Sequence, residues 1–348
     1  MRYAIILAAV LLSALATAQA GIRADLSGDA VIDFTTTMDL PLMTVGNPGN
    51  AADTEVMTDG TTGYGAVDYE YRMGKFEVTA GQYTEFLNAV AATDTYGLYN
   101  TNMYWPTYGC KIEQTGSAGS YTYSVAADWA DRPVNYVSWG DAARFANWLT
   151  NGMPTGAQDL TTTEDGSYFL DGATSDAALL AVTREPDARY VIPSEDEWYK
   201  AAHHANDGVT GNYFDYPTSS DVLPSNDLID PDPGNNASFY DGDYAIGSPY
   251  YRTEAGEFEN SESPYDTFDM GGNVLEWNEA VIGSSRGLRG GSFDTYLGYG
   301  LLASMRSYDI PTFEDNYIGF RVSEVPEPAT LGLLSLGGLA ILKRGRRK

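Results

Sequence analysis

The chain has 348 residues, of which 43% are hydrophobic, and a formal charge of −28 at pH 7. Its length and apolar content suit a domain with a real core, and its acidity excludes a nucleic-acid face, which needs clustered Lys and Arg. The single cysteine, Cys110, excludes an intrachain disulfide and a paired-cysteine zinc or redox site. Only two histidines are present, which disfavours a histidine-based transition-metal centre.

Residues 1–20 have the features of a secretory signal peptide. Arg2 precedes an apolar run at 4–15, and the small-residue sequence Ala18-Gln19-Ala20 predicts cleavage before Gly21. We therefore expect an exported protein, with residues 21–40 as a leader segment in front of the domain.

Two helices are predicted in the first half of the chain. After an alternating, strand-like segment at 67–73, Thr79 can cap a helix that begins at Ala80. Its apolar residues Tyr83, Phe86, Leu87 and Val90 recur at helical spacing. Ser138 can cap a second helix over 140–149, which places Ala142, Phe145, Ala146 and Leu149 on one face.

A third helix is predicted after Ser194. Glu197 follows three residues later, which is the capping-box pattern. Between the second and third helices, residues 151–183 are typical of an insertion, with helical character at 177–181. Residues 207–266 show almost no regular pattern, and a loop of that length requires bound cations or the core to hold it.

The segment Phe268–Trp277 combines two carboxylates with two glycines. Asp269 and Glu276 can place negative charge beside main-chain carbonyls, which is the ligand chemistry of a hard cation such as Ca²⁺. The alternative is a glycine-rich turn that leads into a buried strand.

The C-terminal residues 325–348 have the organisation of a sorting tail. Val325-Pro-Glu-Pro328 precedes an apolar segment at 329–342 and a basic end, and 14 apolar residues are fewer than the ~20 of a comfortable membrane helix. This arrangement resembles the PEP-CTERM sorting signal of Gram-negative bacteria. The resemblance implies transient membrane insertion, cleavage by exosortase-type sorting machinery, and delivery to the outer surface or extracellular matrix. The alternative is a permanent anchor by a single transmembrane helix.

Six segments together resemble the formylglycine-generating enzyme / sulfatase-modifying factor family, in order and spacing, over residues 41–324. They are Gly74–Asn88, Arg132–Ala142, Tyr190–Trp198, Phe268–Trp277, Leu288–Phe293 and Ile318–Val322. The resemblance implies an α+β domain with a C-type lectin-like (sulfatase-modifying factor type) fold, low regular secondary structure, long loops and bound calcium.

The resemblance also implies two calcium sites. The first would use Asp269, Gly272, Val274 and Glu276, two through side chains and two through main-chain carbonyls. The second would use Asn236 and Ala237 together with Asp241 or Asp243. The alternative is that these acids are solvated loop residues.

The activity of the oxidising relatives is not expected here. Those relatives hold copper with two cysteines that follow the Arg-Gly-Gly-Ser motif, and the matching positions are Thr295 and Gly300. Cu(I) needs soft thiolate ligands, so we expect no copper. Leu275 also replaces the aromatic residue that usually precedes the glutamate of the calcium loop.

The remaining polar and aromatic residues of this region predict a ligand-binding surface. They are Arg289, Ser292, Asp294, Tyr296, Tyr299, Arg306 and Tyr308. Alternatively, Arg289, Arg306 and Arg321 pair with acids and hold strands together. The favoured hypothesis is an exported, non-catalytic, calcium-stabilised module that binds a polysaccharide or protein at the cell surface. The alternative is an oxidoreductase of the formylglycine-generating type with altered chemistry, acting on a peptide or thiol.

Overall fold

The computed structural model describes residues 38–326, which contain ten short strands and four α-helices. In chain order the strands are β1 (Leu42–Val45), β2 (Tyr71–Gly74), β3 (Ile112–Thr115), β4 (Thr122–Val125), β5 (Tyr190–Val191), β6 (Leu275–Ile282), β7 (Ser285–Arg289), β8 (Ser307–Asp309), β9 (Ile318–Gly319) and β10 (Ser323–Glu324). The helices are α1 (Ala80–Val90), α2 (Trp139–Thr150), α3 (Asp176–Ala181) and α4 (Glu195–His203). Most of these residues therefore lie in turns and irregular segments.

The strands form three small sheets. One sheet has the order β1-β2-β10-β5 and is antiparallel throughout, and β3 pairs only with β4. The third has the order β8-β7-β6-β9, in which β6 and β9 run parallel. This third sheet carries the segments on which the candidate site is built.

The three predicted helix starts are confirmed. Thr79, Ser138 and Ser194 each accept a hydrogen bond from the third residue of the helix that follows, in a complete capping box. Each box satisfies two main-chain donors that the first helical turn would otherwise leave unpaired. Local sequence is sufficient to place these starts.

The aromatic core lies between α1, α2 and the segment that follows β9. Phe145 of α2 packs edge-to-face on Phe86 of α1, with ring centroids 5.3 Å apart, and on Phe320 at the same distance. Residues 139–149 are buried all round, so the prediction of one buried face was too narrow. The reason is that the 151–188 segment covers the opposite side, where Arg144 pairs with Glu164 at 2.7 Å.

The long segment between α4 and β6 has no helix or strand in the described structure, as predicted. Hydrophobic side chains at intervals hold it to the core, among them Phe239, Phe258, Tyr265 and Met270, which are all buried. Within residues 38–326 no helix is long and apolar enough to span a membrane. The predicted signal peptide, most of the leader, and the apolar and basic parts of the tail lie outside the described residues.

Candidate functional site

Gly272 joins the two segments that were predicted to bind calcium. Its φ is 91°, and a Cβ at this position would lie 2.2 Å from the carbonyl oxygen of Ser238, so only glycine fits. The next amide, of Asn273, donates to that same carbonyl at 2.9 Å. The loop 269–274 therefore runs directly beside residues 236–238.

Glu276 lies fully buried in β6 and is held by an arginine. The Arg321 guanidinium donates to both carboxylate oxygens, at 2.5 and 2.6 Å, and the Trp198 indole N–H donates at 2.7 Å. The alternative interpretation of Arg321 as a strand-pairing residue is therefore confirmed. Glu276 could still offer lone pairs to a cation, because each carboxylate oxygen has two.

Two more carboxylates lie close to this ion pair. Burial, together with repulsion from Asp269 and Glu276, raises the pKa of the buried Glu77 well above its usual range. Burial raises the pKa of Asp269 to about 6. Three carboxyl groups thus lie near the guanidinium of Arg321, and the raised pKa values of Glu77 and Asp269 mean that burial favours their neutral forms unless a cation lies beside them. Glu77 was missed by sequence reasoning, although it stands inside the first of the six family segments.

Asn236 has a buried oxygen without a partner. Its Oδ1 atom makes no hydrogen bond within the described structure, while its Nδ2 donates to Asp232 at 2.6 Å. Asn236, Asp269 and Ser261 are among the residues that line a cavity of about 10 Å³, which is room for one water or ion. Residues from the two predicted calcium sites therefore line one oxygen-rich cavity.

The donor chemistry of this region fits a hard cation. It offers the Asp269 carboxyl group and the unpartnered Asn236 oxygen, which are hard oxygen ligands. In residues 38–326 no three His, Cys, Asp or Glu side chains converge on one point, so main-chain carbonyls such as those of Gly272 and Val274 would have to complete the shell.

The other residues of the second predicted set are placed differently. Ala237 is buried beside Asn236, whereas Asp241 and Asp243 are exposed at the tip of a tight turn, where the Asp241 amide donates to the Asp243 carbonyl at 3.1 Å. The buried carboxylate that does contact Asn236 is Asp232, which was not among the predicted ligands.

Thr295 and Gly300 lie against each other. A Cβ at Gly300 would be 2.7 Å from Thr295 Cγ2, so the two positions that match the cysteine pair of the oxidising relatives remain neighbours. The Thr295 hydroxyl oxygen accepts a hydrogen bond from the Ser292 amide at 2.8 Å, and Ser292 donates to Asp294 at 2.6 Å. The chain's only thiol, Cys110, is fully buried, and burial raises its pKa.

The predicted ligand-binding residues separate into an inner and an outer group. Arg289 is buried against Glu195, and Arg306 pairs with the same carboxylate at 2.6 Å, so both arginines form structural ion pairs. Ser292 is also buried.

The outer group consists of Asp294 and three tyrosines. The exposed fractions are 62% for Tyr296, 61% for Tyr299 and 54% for Tyr308. Tyr240 stacks on Tyr296 with ring centroids 6.2 Å apart. The sequence could have indicated Tyr240 only through the tyrosine content of its loop, because the contact joins distant segments.

Family comparison agrees with the six segments and the fold. The profile of the sulfatase-modifying factor enzyme 1-like domain matches residues 41–325. The chain belongs to this family. Its fold is therefore the C-type lectin-like, sulfatase-modifying factor type of α+β domain, with little regular secondary structure. Residues 324–348 match the PEP-CTERM protein-sorting motif, which indicates export with the help of exosortase-type sorting machinery.

Solved structures with a similar fold share little sequence with this member of the family. "Crystal Structure of CarF" is 21% identical, with a TM-score of 0.48, over 83% of this chain and 100% of that one. "Treponema denticola variable protein 1" is 16% identical, with a TM-score of 0.46, over 82% of this chain and 95% of that one. "Structure of PvdO from Pseudomonas aeruginosa" is 17% identical, with a TM-score of 0.42, over 82% of this chain and 92% of that one. No protein of curated function matches the chain.

Proposed function

We propose that the protein is an exported, non-catalytic module that is stabilised by calcium and binds a polysaccharide at the cell surface. The observation that carries the proposal is the surface around Thr295 and Gly300. Two exposed tyrosines, Tyr296 and Tyr299, lie between the two positions where oxidising relatives have thiols. Aromatic faces beside hydrogen-bonding groups suit sugar rings.

The chemistry of this surface does not support the catalysis of the oxidising relatives. A threonine hydroxyl and a glycine cannot replace two thiolates as ligands of Cu(I). Ser292 does not have a histidine base, because both histidines of the chain are engaged elsewhere. His203 contacts the Phe214 carbonyl at 3.0 Å, and His204 contacts the Tyr265 hydroxyl at 2.7 Å.

Calcium would act as a structural cross-link. An ion bound by Asp269 and the Asn236 oxygen would tie the irregular loop to the segment that enters β6, and it would offset the cost of ionising the buried Asp269 carboxyl group. Because such an ion binds the folded state alone, it would raise the free energy of unfolding in proportion to the logarithm of its concentration.

Binding is tested with the purified protein and surface polysaccharide isolated from a Gram-negative bacterium that uses this sorting signal. We expect Tyr296→Ala to weaken retention on immobilised polysaccharide about tenfold while leaving thermal unfolding unchanged. Phe169→Ala is the matched control, since Phe169 is 50% exposed and belongs to the 151–188 segment. Absence of retention by the unaltered protein, or equal losses in both variants, contradicts the binding proposal.

Metal analysis tests the two other parts of the proposal, which are bound calcium and the absence of catalysis. Plasma mass spectrometry of protein purified without chelator should find calcium near stoichiometric amounts and no copper or iron. Stoichiometric copper or iron together with oxygen uptake would show an oxidoreductase instead. Unfolding that is insensitive to chelator would remove calcium from the proposal.

A further inference from the structure

Aromatic rings form a nearly continuous series that starts at the exposed tyrosines of the 294–302 loop. In order, the series consists of Tyr296, Tyr240, Tyr244, Tyr251, Tyr250 and Trp129. Successive ring centroids are 6.2, 4.9 and 4.9 Å apart from Tyr296 to Tyr251, and Tyr250 lies 5.1 Å from Trp129. We call these six residues the aromatic track. Its four middle tyrosines are half-buried, so they are fixed by packing but remain accessible.

The far end of the aromatic track opens into a cleft of about 340 Å³ beside the β3–β4 hairpin. Tyr104, Lys111, Glu113 and Trp129 are among the residues that line it, and the Lys111 ammonium lies 5.7 Å from the ring centroids of both Tyr104 and Trp129. Tyr104 is 50% exposed, and its neighbour Trp105 is 55% exposed. Trp129 itself is only 3% exposed, so the solvent-exposed rings at this end are Tyr104 and Trp105, which lie beyond the aromatic track.

The loop that forms this cleft is conformationally fixed. Lys111 has a φ of 62°, which is rare for a long side chain, and its amide donates to the Met103 carbonyl at 2.7 Å. A Cβ at Gly109 would lie 2.4 Å from the same carbonyl, so the loop can close only around a glycine. Backbone strain of this kind is often retained where side chains must be held for binding.

The charge along the aromatic track favours an uncharged ligand. Asp294 is exposed at one end, the Tyr250 hydroxyl donates to Asp128 at 2.9 Å, and Glu113 lies in the cleft with Lys111. Carboxylates accept hydrogen bonds from sugar hydroxyls, but they repel the carboxylates of acidic sugars, as does the net charge of −28.

We propose that the ligand is a linear, uncharged polysaccharide that lies along the aromatic track and occupies a second subsite in the Tyr104–Trp129 cleft. This inference rests on the proposed polysaccharide-binding function. A chain of sugar rings would contact the successive tyrosines of the aromatic track, so each added unit within its length would add contact area. Binding should therefore strengthen with chain length until the ligand reaches the cleft.

The test is calorimetric titration of the purified protein with linear neutral glucose oligosaccharides of increasing length, and with oligouronates of the same lengths. We expect affinity to rise with length and then level off, and neutral oligomers to bind at least tenfold more tightly than uronates. Tyr104→Ala should weaken the longest neutral oligomer about tenfold and leave the shortest unchanged. Phe169→Ala, which lies off the track, should change neither.

Three results would overturn the inference. They are affinity that does not depend on length, equal losses for short and long oligomers in Tyr104→Ala, and uronates that bind as tightly as neutral oligomers. In each case loss of binding in Tyr296→Ala would leave the proposed function intact. If no oligosaccharide or polysaccharide binds at all, the proposed function itself fails.

Discussion

Replacement of Arg321 by Met should destabilise the domain more than replacement of any surface arginine. Arg321 is fully buried, and besides its two hydrogen bonds to Glu276 it donates to the carbonyls of Gly74 and Phe268, both at 3.0 Å. The variant would leave the buried Glu276 carboxylate unpaired beside Glu77. It would also remove the hydrogen-bond donor of the Gly74 and Phe268 carbonyls. Breaking a buried pair from one side costs about 3–5 kcal/mol, and we expect that loss in the free energy of unfolding.

The assay is equilibrium unfolding in urea followed by tryptophan fluorescence, with excess calcium and again with chelator. Arg72→Met is the matched control, because the Arg72 side chain is 49% exposed in its ion pair with Glu324. An exposed pair contributes about 0–1 kcal/mol, so the control should change little. Adding Glu276→Gln to Arg321→Met should restore part of the loss, since the unpaired charge is removed.

A loss of stability in Arg321→Met no larger than that in Arg72→Met would contradict this role of Arg321. So would a further loss on adding Glu276→Gln, because Glu276 would then not be left uncompensated by Arg321→Met.

Three further predictions concern the backbone, the pH dependence and the metal. Gly272→Ala should lower the free energy of unfolding by at least about 2 kcal/mol, because the added Cβ would collide with the Ser238 carbonyl. Gly242 is the control: its φ is 82° but the space around it is open, so Gly242→Ala should cost about 1 kcal/mol. Urea titrations of the two variants compare these losses. Burial and repulsion from Asp141 raise the pKa of Glu314 to about 9, so the folded state loses stability as pH rises from about 4.5 to 9. Glu314→Gln should therefore be more stable than the unaltered protein by about 1–3 kcal/mol at pH 9, and equally stable near pH 4. Thermal unfolding of both proteins between pH 4 and pH 9 measures this difference. Asp269→Asn should reduce the rise in Tm that added calcium produces, and an unchanged rise would remove Asp269 from the proposed ligands.

The sequence alone determined the parts of the fold that depend on local physics. The three capped helices follow from Ser, Thr and acidic or amide side chains at the first turn, and these interactions need only neighbouring residues. The irregular segment between α4 and β6 follows from its Asn, Asp, Gly and Pro content. The six segments in order were enough to predict the family that the comparison confirmed.

Only the tertiary structure decided which charges face each other and which aromatic rings meet. The roles of Arg289 and Arg306 depend on Glu195, about a hundred residues away in the chain, so no local pattern could distinguish an ion pair from a ligand contact. The same holds for Glu77 beside Asp269 and for Tyr240 beside Tyr296. These contacts are set by how three small sheets and a long irregular segment pack, and packing joins residues whose spacing in sequence carries no period.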